Sequence, residues 1–473
     1  TAQQQSNANQ QVYVSNESDF FEHFLASYSA ESLPSETVTF GNDWDVDCAS
    51  MASNTSKLRY SVEKLRTAES LASLAALIDP AFYASENALR DEAWRALGSY
   101  WEHDFGGGGI GAVIQRGNWQ IDLQQAISSY VDQLYETSLR ALSAKIEVPP
   151  EKIRFVVFNG LGWTRNDYTD IAYNGSTNIK IIEIAGGTEV PFEIINHNGT
   201  QYLRILASGI PPVGYKVYEI QSGPASSFPN TATLVDNVFE NSFYRLTITS
   251  EGVITSLIDK QDGNREYVNE TQGRYLNDFG QGLGEAGSIN LLHNGPVSAK
   301  LACTSANPLQ HTTYITLYRD INRVDISNTI TDHFGDDIRT YAFPFAMETP
   351  TVWHEELGAI IKAKYTTNGG HYATPDQPVR YEWQTLNHFV DVGNDAGGIT
   401  LSSKGASFMK LGNSSVEFLD ENSAYIQVLI GGRMAESGPG FANQFDQTEF
   451  KNDFSLLPRT EPFNAPDAMQ FAL

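Results

Sequence analysis

The chemistry-bearing residues of this chain concentrate in one stretch. Tyr100-Trp101-Glu102-His103-Asp104-Phe105 runs into four glycines, Gly106 to Gly109, and then Ile110-Gly111. An imidazole, two carboxylates and three aromatic rings thus stand beside a backbone almost free of side chains. A histidine between two acids binds a metal or moves protons, and a glycine run lets a small polar ligand approach the main chain closely. The same residues also describe a flexible loop after a helix, with His103 in solvent, because one histidine is not a site.

Other clusters carry weaker signals. Asp43, Asp45 and Asp47 alternate about Trp44, which suits a sugar subsite at the mouth of a barrel and equally an exposed acidic edge. His354-Glu355-Glu356 lacks the His-Glu-x-x-His spacing of a metalloprotease and is expected in an exposed loop. Asp332-His333-Phe334-Gly335-Asp336-Asp337 lacks the length and periodic ligands of a calcium loop and is expected to be a solvated turn. Cys48 and Cys303 are the only cysteines, which excludes a disulfide framework and a thiolate zinc site. Free buried thiols are expected, with a single pairing left open. Six Asn-x-Ser/Thr triplets occur, but a chain rich in Asn, Ser and Thr produces them by chance.

The elements that must position these residues follow from composition and periodicity. At 473 residues the chain is too long for one ordinary core. Lys plus Arg 31 against Asp plus Glu 57 gives a net charge of -26 with no long basic run, so nucleic acid and anionic membrane are poor partners. Hydrophobic residues at 41% supply real cores. No uninterrupted apolar run approaches a membrane span, and the polar start has no signal-peptide core. There is no initiator Met, and residues 467–473 read as the middle of a segment, so both ends are expected to be cut. Compartment and homo-oligomerisation stay open.

Residues 11–14 are β-prone, and a helix is expected to open at Ser18; the two cannot bury each other. Over residues 57–78, Leu58, Val62, Leu65, Ala68, Ala72 and Ala75 recur at helical spacing until Asp79-Pro80 stops them. A second helix is expected from Ser85, with Leu89, Ala93, Leu97 and Tyr100 along one stripe. A third is expected over 119–146, with Leu123, Ile127, Tyr130, Leu134 and Ala141 inward. Three helices with short connections make a bundle, and His103 falls just past the C-terminal end of the second. The helix dipole there favours a cation, unless a metal claims the neutral ring.

After Pro150 the period becomes two. Strands are expected near 153–158, 170–173, 179–184, 190–195, 202–206 and 215–220, a small antiparallel β-domain. Residues 222–231 form the best linker. From Leu234 to about 430 the pattern is again β, at 243–249, 253–258, 297–304, 313–318 and 323–331 among others, indicating one large sandwich of two sheets.

The order of segments resembles the later part of glycoside hydrolase family 38, the α-mannosidases. The stretches that carry the resemblance are Gly41-Asn42-Asp43-Trp44-Asp45-Val46-Asp47-Cys48-Ala49-Ser50-Met51, then Val62 to Glu69, then Glu102-His103-Asp104-Phe105-Gly106, then Val157-Phe158-Asn159-Gly160-Leu161-Gly162-Trp163-Thr164-Arg165. Pro211 to Tyr218, Glu240 to Leu246 and Gly252 to Lys260 follow in the same order. The resemblance implies a multidomain α+β chain: a three-helix bundle, a small antiparallel β-domain and a large galactose-mutarotase-like β-supersandwich. The expected domains are 1–45, the tail of a barrel-like α/β catalytic domain; 46–150, the bundle; 151–221, the small sandwich; and 232–473, the large one.

The resemblance further implies zinc-dependent, retaining hydrolysis of terminal α-mannosides. It makes His103 a Zn2+ ligand and Asp104 a contact to the bound sugar; Asp43, on the reading above, is a second substrate contact. No His-x-Asp occurs in the chain, so the other zinc ligands and the nucleophile would come from an absent N-terminal segment. No catalytic residue is then present, and the chain alone is expected to be inactive. The alternative from another class is a non-catalytic carbohydrate-binding or scaffold chain.

Overall fold

A computed structural model describes residues 14–85, 87–102, 105, 112–197, 199–280, 282–284, 286–373, 379–434 and 441–473. Five α-helices are named here: α1 Glu17–Ser27, α2 Ala52–Ile78, α3 Asn87–Tyr100, α4 Val113–Ser143 and α5 Ala465–Ala472. The cap of α1 is Asn16 rather than Ser18, because its side-chain oxygen accepts from the Asp19 amide at 2.9 Å. None of its residues is buried, and Phe20 and Phe21 stand 60% and 58% exposed.

Helix α2 begins five residues earlier than periodicity alone indicated. Its orphan amides are satisfied from far along the chain: Gln444 Oε1 accepts from Ala52 and Gln447 Oε1 from Asn54, at 3.0 and 3.3 Å. It stops at Ile78 because Asp79, ahead of Pro80, is held extended. Leu58, Leu65, Ala68, Ala72 and Ala75 are buried as expected. On α3, by contrast, Leu89 is exposed while Ala93 and Tyr100 are buried. Helix α4 starts at Val113, six residues before the expected start at Trp119. The cluster these helices enclose is not theirs alone, since Trp383, Phe408, Leu429 and Phe441 of the large β-domain complete it.

The small β-domain packs two antiparallel sheets around Ile179, Ile181, Leu203, Ile205 and Tyr218. One sheet contains Ile153–Asn159, Gly214–Ser222, Ile179–Glu183 and Thr188–Val190; the other contains Arg165–Ala172, Thr200–Ile210 and Phe192–His197.

In the large domain a nine-stranded antiparallel sheet faces five- and four-stranded sheets across one continuous core. Along Val324–Ile330 every second residue is buried, as the alternating pattern indicated. Asn328 sits on the inward face because Thr313 and Asn277 donate to its side-chain oxygen at 2.7 and 3.1 Å. The centre of the nine-stranded sheet is occupied by Phe450–Arg459, paired with Val324–Ile330 on one side and Gly397–Lys404 on the other. Residues 465–472 form α5 and pack over the same sheet, a helix that the sequence reading did not anticipate.

Candidate functional site

His103, Asp104 and the glycines 106–109 lie outside the described residues, but both flanks of the pair are held. Tyr100, the last residue of α3, is fully buried. Its hydroxyl lies 2.9 Å from Thr55 Oγ1 and accepts from Asn54 Nδ2 at 3.2 Å, both from the first turn of α2. Phe105 is 2% exposed, with its ring edge-to-face on Tyr100 and on Phe441 at centroid distances of 5.3 and 5.8 Å. Gln120 of α4 donates to the Phe105 carbonyl at 3.4 Å. Two buried aromatic rings, Tyr100 and Phe105, therefore flank His103-Asp104 in the sequence. Glu102 stands 3.8 Å from Arg116, and Trp101 is 40% exposed.

The Asp43 segment is attached to the same core. Strand Thr37–Thr39 pairs in parallel with Asn368–His371 of the large domain, and the chain then turns at Gly41. With φ of 77° and a hypothetical Cβ 1.8 Å from the Arg380 carbonyl oxygen, only glycine fits there. Asn42 donates to the Trp383 carbonyl and to Thr385 Oγ1, at 3.2 and 3.1 Å. Trp383 shares one hydrophobic cluster with Tyr100, Phe105 and Phe441.

The three acids do not form an alternating extended edge. Residues Trp44–Met51 are a 3-10 helix, and Asp47 is buried whereas Asp43 and Asp45 are exposed. Asp43 meets Arg380 at 3.2 Å, and Trp44 is 57% exposed beside it. An exposed indole can stack on a sugar face, while the carboxylate beside it accepts from the sugar hydroxyls.

His354-Glu355-Glu356 departs from the exposed loop expected of it. His354 and Glu355 end the strand Thr351–Glu355 and are buried. His354 Nδ1 donates to the Thr385 carbonyl at 2.8 Å, and its ring lies 5.8 Å from that of His371. Among the described residues neither nitrogen of His371 has a hydrogen-bond partner. Burial pushes His354 and His371 down to about 4 and about 3, so both rings are neutral. Glu355 accepts from His388 Nδ1 at 2.5 Å, while His388 Nε2 lies 2.9 Å from Glu63 of α2. Burial opposes charge on His388, but these two carboxylates outweigh it and raise its pKa. This network was invisible in the sequence, because Glu355 lies 33 positions from His388 and Glu63 lies 325.

Residues 332–337 form an irregular turn with exposed acids, as expected. Cys48 and Cys303 are free and buried, and desolvation pushes both thiols up to about 12. Among the described residues no group of three or more His, Cys, Asp or Glu is placed to hold a metal ion. The described residues therefore do not make a zinc site by themselves.

The class defined by these elements is a multidomain α+β fold of helical bundle, small β-sandwich and large antiparallel β-domain. No protein family model and no curated protein matches the chain. Among solved structures, an alpha-mannosidase from Enterococcus faecalis V583 matches with a TM-score of 0.68 and 16% identity over 99% of this chain. A protein in glycosyl hydrolase family 38 from Enterococcus faecalis matches with the same TM-score and identity over 98% of it. The chain spans 62% of the length of each of these two. The fold is thus the one the family-38 resemblance implied.

Proposed function

We propose that this chain is part of a glycosidase of the α-mannosidase type, performing zinc-dependent, retaining hydrolysis of terminal α-mannosides. The observation that carries the reading is the shared fold, together with the buried rings of Tyr100 and Phe105 that flank His103-Asp104 in the sequence. Retaining chemistry needs two carboxyl groups on opposite sides of the glycosidic bond, one attacking the anomeric carbon and one protonating the leaving oxygen. In this reading the nucleophile, the acid and the remaining zinc donors come from a segment outside these 473 residues, and the chain alone is inactive. His103 serves as a neutral imidazole ligand, Asp104 accepts from a sugar hydroxyl, and Asp43 with Trp44 forms a flanking contact. A zinc ion so held supplies Lewis acidity toward sugar hydroxyls. The substrate is a glycan ending in α-mannose. No helix among the described residues is long and apolar enough to cross a membrane.

The test uses the intact protein and an aryl α-mannoside. His103→Ala should remove chelator-sensitive hydrolysis, and retained activity would refute the reading. The alternative reading is a carbohydrate-binding chain without catalysis. That reading requires residues 151–473 to bind a glycan panel in the presence of chelator.

A further inference from the structure

His388 stands where α2 meets the large β-domain, and both of its ring nitrogens face carboxylates. Nδ1 lies 2.5 Å from Glu355 Oε2, at the end of the strand Thr351–Glu355, and Nε2 lies 2.9 Å from Glu63 Oε1 on α2. The surroundings hold the ring in place: the His388 carbonyl accepts from the Ser403 amide, and Asn387 Nδ2 donates to Glu355 Oε1, each at 3.0 Å. A neutral imidazole has one N–H and one lone pair, so only the charged ring donates to both carboxylates. Yet Nε2 has a second neighbour. Arg66, three residues after Glu63, sets one guanidinium nitrogen 3.0 Å from Nε2 and the other 3.3 Å from Glu63 Oε2. A guanidinium only donates, so that contact suits the neutral ring with its lone pair on Nε2.

The charges next to the ring balance without it. Helix α2 supplies Glu63, Arg66 and the buried Arg59, and the strand supplies Glu355; Arg59 donates to the Asn387 carbonyl and to Ser407 Oγ. A proton on His388 therefore takes this group from zero to one positive charge, and neither state strands an isolated ion. His388 also lines the crevice between α2 and the two β-domains, where the other charges pair with one another. Lys64 meets Asp132, Arg165 meets Asp167, Arg323 meets Asp167 and Asp325, and Lys451 and the Tyr60 hydroxyl meet Asp453. Lys404 holds its ammonium over the Tyr60 ring. Burial opposes charge on His388, and Glu355 and Glu63 outweigh it, so its pKa lies above the ordinary 6.5.

We propose that His388 is a proton-operated switch at the junction of α2 and the large β-domain: when charged, its Nε2 donates to Glu63, and when neutral, the same nitrogen accepts from Arg66. The bond from Nδ1 to Glu355 is kept in both states. Because the folded ring holds its proton more tightly than the unfolded chain does, the bond to Glu63 contributes stability that is fully present below about pH 6.5. It is lost as pH rises through the folded value, so α2 grips the large domain most firmly on the acid side. The inference is independent of mannoside hydrolysis.

The test is nitrogen NMR of the 473-residue chain carrying 15N-histidine, with His388→Gln assigning the signal. The ring should titrate above pH 6.5, with both nitrogens protonated below the midpoint and the proton left on Nδ1 above it. Glu63→Gln should lower the midpoint by roughly one pH unit, since it removes a carboxylate that favours the charged ring. Arg66→Gln should raise it by a similar amount, since it removes the donor that favours the neutral ring. A ring with a purely structural role would not move in opposite directions. Both side chains are partly exposed, at 19% for Glu63 and 38% for Arg66, so the substitutions spare the core. The unmodified chain keeps the test decisive even if a variant does not fold: titration at or below pH 6.5, or a neutral ring protonated on Nε2, overturns the proposal. Shifts of the same sign, or none, overturn it as well. In urea, the stability gap between the unmodified chain and His388→Gln should narrow as pH passes the midpoint, and a gap independent of pH would contradict the coupling of the switch to the junction.

Discussion

At the scale of single residues, burial sets the chemistry of the histidines. His354 and His371 have folded-state pKa values of about 4 and about 3, below the ordinary value of 6.5. Their neutral rings therefore contribute stability that is fully present above the unfolded value and is lost as pH falls toward the folded ones. Unfolding free energy measured in urea should fall below about pH 6.5, by up to ~1.4 kcal/mol per pH unit for each histidine. His371→Phe should flatten that slope by one proton. It should also cost little near neutrality, because neither ring nitrogen has a partner among the described residues to lose. An unchanged slope in the variant would place the proton uptake elsewhere. Their burial was not legible in sequence: an inward-facing histidine breaks the apolar alternation that marks a strand, and its partner carbonyl is thirty-one positions away.

At the scale of elements, the segment leading to Asp43 depends on one glycine. Gly41→Ala should detach the strand Thr37–Thr39, because the new methyl overlaps the Arg380 carbonyl. The cost should be at least about 1–3 kcal/mol, the usual range for a strained backbone position. Faster hydrogen exchange at Thr37, whose amide donates to the Thr367 carbonyl at 3.0 Å, is the direct reading. Wild-type exchange in the variant would contradict the steric argument. The helices themselves were largely legible, since Leu58, Leu65, Ala68 and Ala72 repeat at the helical period and Pro80 ends it. Their N-termini were not, because the caps of α2 are Gln444 and Gln447, brought in by the tertiary fold.

At the scale of the whole molecule, the bundle and the large β-domain share a core. Trp383, Phe408, Leu429 and Phe441 pack among Leu58, Tyr100, Phe105 and Leu134. Residues 46–150 expressed alone should therefore keep helical circular dichroism but lose cooperative unfolding, having lost one wall of their core. Leu429→Ala in the full chain should destabilise it by about 2–5 kcal/mol, the range for a buried leucine truncation. A sharp, two-state transition of the isolated bundle would show that the shared cluster is dispensable.

The sequence by itself determined the periods, the breaks between them and the order of segments. Local backbone preference and the side on which apolar residues recur are properties of neighbours in the chain. Those were enough to read a bundle, two β-domains, the family-38 resemblance and the stretch around His103. Only the tertiary structure decided that Phe450–Arg459 lies at the centre of the nine-stranded sheet, and that Asp43 is held by Arg380. It also decided that the Glu63–His388–Glu355 network joins α2 to the large domain. Each of these is a contact between residues far apart in sequence, set by packing and electrostatics across surfaces that no local period encodes.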